Sequence, residues 1–163
     1  MITKEAQDLD TYCIYANDFH LEMILLPYIK NNLQIKKFVI ITEDSMQDSV
    51  KVLLDRINLS NEHKEKIYNL NWDNNIEDKM NLLKKYKYNN EDVILIVKGS
   101  LDFMEEIIQK VKFFDFSNIS IVKCYSVDEV NKESINLDKS KILRTERIWW
   151  VICFLLQVKG FKQ

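Results

Sequence analysis

Four short stretches of the chain are almost continuously apolar: "YCIYA" (12–16), "KFVIIT" (37–42), "DVILIV" (92–97) and "ISIVKCY" (119–125). A strand with one wet face alternates apolar and polar residues, whereas a strand covered on both faces does not. Each run is also short for a helix. The four runs therefore predict strands of a mostly parallel sheet buried between two layers of helices.

The segments between them carry helical spacing. In "DFHLEMILLPYIKNN" (18–32), Leu21, Ile24, Leu25, Tyr28 and Ile29 form one stripe, and Pro27 is expected to kink the helix or start its second half. In "SMQDSVKVLLDRI" (45–57), Val50, Leu53, Leu54 and Ile57 make the apolar face, with Ser45 in the N-cap position. "NIEDKMNLLKKYK" (75–87) and "SLDFMEEIIQKVKFF" (100–114) follow the same rule. Within 63–74, "KIYNLN" predicts a further short strand, which brings the sheet to about five. Alternating strands and helices specify a three-layer α/β fold of the RecA/Rossmann type with mostly right-handed crossovers.

No repeat and no Ser/Gly/Pro linker divides the chain, so residues 1–163 are expected to form a single domain. Its last part, 140–160, is an apolar element for which a helix ending near Gly160 is the favoured reading over a buried strand at 148–156. That run, "IWWVICFLL", falls short of the ~20 residues that span a bilayer. Its Trp149, Trp150 and Phe154 are candidate contacts with a second copy of the chain or with another protein. The basic residues before the run also admit a peripheral membrane regulator using 139–158.

Composition narrows the function. A 47% apolar and 29% charged chain is globular, and a formal net charge of −2 offers no general attraction to nucleic acid. The odd count of three cysteines (Cys13, Cys124 and Cys153), without a Cys-x-x-Cys pair, suggests neither a disulfide framework nor a zinc knuckle. Buried reduced thiols and an N-terminus without an apolar signal core indicate the cytoplasm.

Glycine is the scarcest informative residue, with Gly99 and Gly160 alone in the whole chain. A phosphate-cradling loop needs several, because its backbone must reach positive φ and approach the phosphate closely. Neither G-x-x-x-x-G-K-[ST] nor G-x-G-x-x-G can be assembled. Candidate ligand contacts come instead from the rule that open α/β sheets bind at the carboxyl ends of their strands. After the first strand these are Asn17, Asp18, His20 and Glu22; after the second, Glu43, Asp44 and Ser45; after "ILIV", Lys98, Ser100 and Asp102; after the last, Tyr125, Ser126 and Asp128. The leading set is Asn17, Asp18, His20, Glu43, Asp44, Lys98, Ser100 and Tyr125. Asp18, Ser45 and Ser100 have helix capping open to them as a structural role. Lys98 beside a helix N-terminus would suit an anion. His20 and Glu22, two apart, share no helix face, and His63 is remote, so no metal site, no catalytic residue and no cofactor is expected.

The run 12–59, with Cys13 in its first strand, "YIKNNL" at the turn, then "KFVIIT" and "VKVLLDRI", resembles the opening of the MEDS domain, the methanogen/methylotroph DcmR sensory domain. "VILIVKGSLDFMEE" (93–106) is similar to that family's later strand running into a helix, and "IVKCYSVDE" (121–129) to its closing strand. Thr11 stands where the family usually has a histidine, Asn32 replaces the turn glycine, and the histidine expected toward the end is absent. The resemblance implies a RecA/KaiC-like domain without a working Walker A loop. It implies a sensory or regulatory role, with a small molecule or signalling protein as partner and no catalysis. The competing expectation is an enzyme acting on a nucleotide or phosphorylated metabolite. There, Glu43 and Asp44 would hold a metal and Lys98 the phosphate.

Overall fold

The computed structural model describes residues 11–132 and 141–143. The chain runs β1 (Thr11–Tyr15), α1 (Asp18–Asn32), β2 (Lys37–Thr42), α2 (Gln47–Arg56), α3 (Asn61–Tyr68), α4 (Ile76–Tyr88), β3 (Val93–Lys98), α5 (Leu101–Phe113), β4 (Ile119–Ser126) and α6 (Val127–Lys132). The strands form one all-parallel sheet in the order β1-β4-β3-β2, the α/β architecture expected from the unbroken apolar runs.

Alternation along the strands divides the core in two. Cys13, Phe38, Ile40, Ile94, Ile96, Val122 and Cys124 pack with α1, α2 and α3 on one face. Val39, Ile41, Val93, Leu95, Val97 and Ile121 pack with α4 and α5 on the other. The α1 connection carries the chain from β1 at one edge to β2 at the opposite edge. The later connections bring it back. A right-handed crossover that reverses direction must change face, and this produces three layers.

The sequence reading fails in three places. "KIYNLN" is not a strand: Ser60 accepts a hydrogen bond from the His63 N–H, 3.2 Å, and starts α3, which ends at Tyr68. A cap signal upstream decided a short apolar run that periodicity left ambiguous. The sheet consequently has four strands among the described residues, not five. Ser45 is not the N-cap of α2; Met46 is, and the Ser45 hydroxyl accepts from the Gln47 N–H at 3.3 Å. Helix α1 is continuous from Asp18 to Asn32 with Pro27 inside it, so the proline does not begin a separate second half. The C-terminal element lies outside the described residues, with Trp149, Trp150 and Phe154, except for 141–143. There the Leu143 N–H donates to the Tyr12 carbonyl, 2.6 Å, at the outer edge of β1.

Lys79 holds the opposite edge. Although 2% exposed, its ammonium donates to the carbonyls of Ile40, Asn71 (2.7 Å) and Asp73 (3.1 Å). A carbonyl on the open side of edge strand β2 is thereby satisfied from inside the protein, which blunts pairing with another chain. Among the described residues no helix is long and apolar enough to cross a membrane.

Candidate functional site

The carboxyl ends of β2 and β3 diverge, the chain leaving β2 toward α2 on one face and β3 toward α5 on the other. Such a reversal opens a crevice in α/β sheets. The Glu43 N–H extends the ladder to the Lys98 carbonyl, 3.0 Å. The Glu43 side chain then turns across the crevice, and its Oε1 accepts from the Ser100 N–H at 2.9 Å. The Ser100 hydroxyl caps α5 by accepting from the Phe103 N–H, 3.2 Å. A carboxylate of the chain itself thus occupies an amide at a helix start, where an incoming anion would look for one.

The intervening Gly99 is required by crowding, since its φ is not positive. A Cβ there would lie 2.4 Å from Cδ1 of Phe103 and 3.0 Å from Cβ of Glu43. The Lys98-Gly99-Ser100 junction is therefore a tight turn that seats Glu43.

Lys98 is equally committed. Its Nζ lies 2.9 Å from Asp18 Oδ1, at the start of α1, and 5.8 Å from the centre of the Tyr15 ring. Around these groups is a cavity of about 270 Å³, completed by Tyr15, Ser126 and Glu129. Tyr15 as a residue is 8% exposed. Burial, then the neighbouring Cys124, Asp18, Cys13 and Glu129, push its phenol up to about 12, so it remains a neutral O–H.

Glu43, Asp44, Lys98 and Ser100, four of the leading candidates, line this cavity, and Asp18 adjoins it through Lys98. Asn17 is the N-cap of α1, accepting from the His20 N–H at 2.8 Å. His20 Nδ1 accepts from the Ala16 N–H, 2.9 Å, and closes the β1–α1 turn. Tyr125 points to the other face. The register pairs Lys98 with Cys124, so Ser126, two residues on, shares the Lys98 side and Tyr125 does not. Tyr125 lines a separate groove of about 390 Å³ between α5 and β4, with Met104, Ile108 and Lys123. That groove is larger, yet it lies along the flank of the sheet and gathers no group from the crevice.

Tyr15 and Glu129 were missed as site residues, whereas Glu22 stood among the wider candidates after the first strand. Tyr15 was legible as the last residue of β1 on the same side as Cys13. Glu129 becomes visible only once α6 folds back beyond β4.

Beneath the crevice, Glu22 is 2% exposed and accepts a hydrogen bond from the Ser49 hydroxyl. Burial raises its carboxyl to about 7 against the opposing pull of Ser49; Asp18 raises it further and Lys98 lowers it. Cys13 and Cys124 face each other in register on β1 and β4, both fully buried. Contact with Cys13 and burial hold the Cys124 thiol well above its usual range.

Among the described residues no group of three His, Cys, Asp or Glu side chains converges to hold a metal. The Ser60 hydroxyl lies 2.9 Å from His63 Nδ1, but this pair is the exposed cap of α3. No protein-family model matches the chain, and neither a curated protein nor a solved structure matches it.

Proposed function

We propose that the chain is a non-catalytic sensory or regulatory domain of the MEDS kind, binding a small ligand or a signalling partner at the carboxyl edge of its sheet. The observation that carries this reading is the Glu43 carboxylate on the Ser100 amide. A phosphoryl-transfer site needs that amide and an uncommitted cation for the substrate. Here the first is taken by an acid and Lys98 is paired with Asp18. The shortage of glycine supports the same reading from the sequence side. No described nucleophile stands beside an oriented base within a cavity, which supports binding over turnover.

Native mass spectrometry of the purified chain, followed by thermal denaturation against a panel of metabolites, tests the proposal. A ligand present at 100 times its Kd raises stability by ~2.7 kcal/mol. At least one small molecule is expected to do so, and its effect to be lost in Glu43→Gln or Lys98→Met. Steady hydrolysis of ATP or GTP, abolished by Lys98→Ala, would replace this reading with a nucleotide-acting enzyme.

A further inference from the structure

Cys13 and Cys124 stand opposite each other in the register of β1 and β4. Both are free and fully buried. In-register residues on neighbouring parallel strands point to the same side of the sheet, and these two lie in the same core cluster. Their thiols touch, and the hydrogen bond between them is the largest cause holding the Cys124 proton in place. Neighbouring strands run ~4.7–4.9 Å apart, within the ~4.4–6.8 Å that separates the Cα atoms of a disulfide. The pair is thus within bridging reach across one step of the ladder.

The position of the pair gives such a bridge something to hold. In the described sheet order β1-β4-β3-β2, Cys13 is on an edge strand, while Cys124 is flanked by β1 and β3. Edge elements open locally more readily than central ones. Two residues after Cys13, Tyr15 ends β1 at the crevice, and the Asn17 cap then starts α1, whose Asp18 holds Lys98. Lys98 is itself the register partner of Cys124. Fixing β1 to β4 therefore fixes this wall of the crevice as well.

We propose that Cys13 and Cys124 form a reversible disulfide that staples edge strand β1 to β4, with hydrogen peroxide as the oxidant. The device belongs to the sheet and does not rest on the ligand-binding reading. Cys13, on the edge strand, meets the oxidant when β1 opens locally. Its sulfur attacks the peroxide: an S–O bond forms, the O–O bond breaks, and one oxygen leaves as water with the thiol proton. The Cys124 sulfur then attacks the sulfenic acid so formed. The S–S bond forms, the S–O bond breaks, and a second water leaves with the Cys124 proton. Two electrons have passed from the sulfurs to the peroxide. Burial excludes bulky reagents and the firmly held Cys124 proton slows the reaction, so a small oxidant is required. Side chains of a parallel pair run side by side rather than toward each other, which strains the bridge and lets a reductant open it.

Peroxide treatment of the folded Cys153→Ser chain, followed by guanidinium with an alkylating reagent and mass spectrometry, tests the proposal. The chain should be lighter by two hydrogens and unlabelled, and should take two labels once reduced. The bridge closes a loop running through most of the described chain, so the urea midpoint should rise by about 1–2 M and return on reduction. Hydrogen exchange of the β1 amides should slow in the oxidised form. Cys13→Ser and Cys124→Ser in the same background should show none of these changes. Two labels without prior reduction, oxygen added in place of hydrogen lost, or a bridge that forms only in guanidinium would overturn the proposal. A bridge that links two chains, lowers the midpoint or leaves exchange in β1 unaltered would overturn it equally.

Discussion

Replacing Glu22 by glutamine is expected to stabilise the protein at alkaline pH and leave it unchanged in acid. Glu22 is 2% exposed, and its carboxyl is raised from the ordinary 4.5 to about 7, chiefly by burial. The folded state holds this proton more tightly than the unfolded chain. Below about pH 4.5 both states carry the proton and there is no penalty. As pH rises toward about 7, the unfolded chain ionises first, so unfolding becomes easier. Above about 7 both are ionised and the penalty is constant. Across that interval, at ~1.4 kcal/mol per pH unit, the loss amounts to about 3 kcal/mol. Glutamine keeps an acceptor for the Ser49 hydroxyl and carries no charge to desolvate. Urea denaturation of wild type and Glu22→Gln at pH 4.5, 6, 7.5 and 9 would measure it. With m near ~2 kcal/mol/M, the variant's midpoint should exceed that of wild type by about 1–2 M at pH 9 and converge with it at pH 4.5. Because other titrating groups are common to both proteins, their effects cancel in the difference. Parallel midpoint curves, or a variant weaker at pH 9, would refute the assignment of a buried, desolvated carboxyl.

Gly99→Ala should destabilise by about 1–3 kcal/mol, because its Cβ meets the Phe103 ring and Glu43; adding Phe103→Leu should recover part of the loss in the same denaturation assay. Lys79→Met leaves the carbonyls of Ile40, Asn71 and Asp73 without their shared donor. A loss of about 2–4 kcal/mol and increased self-association by light scattering are expected, since an edge-strand carbonyl is uncovered. In a Cys153→Ser background, Cys13 and Cys124 should resist an alkylating reagent at pH 8 and react fully in guanidinium, as read by mass spectrometry. Rapid alkylation of the folded protein would show that β1 and β4 open locally.

The parallel α/β architecture is a property of the chain read alone. Val93–Val97 and Phe38–Ile41 contain no polar residue, and a strand of that kind has no stable place except between two layers. The starts of α1, α4 and α5 were equally local, because Asn17, Asn75 and Ser100 each satisfy an N–H three residues on. The absence of a phosphate loop also follows from residue type, glycine being the residue such loops demand. The crevice does not. Glu43 reaches Ser100 across 57 residues of sequence, and Glu22 meets Ser49 across 27. No spacing rule along a helix or strand connects such pairs. Strand order and register decided which candidates share a side: Lys98 opposite Cys124 places Ser126 with it and sends Tyr125 to the far face. Burial of Lys79 and of Tyr15 likewise arises only when helices and strands distant in sequence close over them. Local composition specifies elements through contacts a few residues apart. A binding surface depends on long-range packing, which removes water from some polar groups and leaves others facing a cavity.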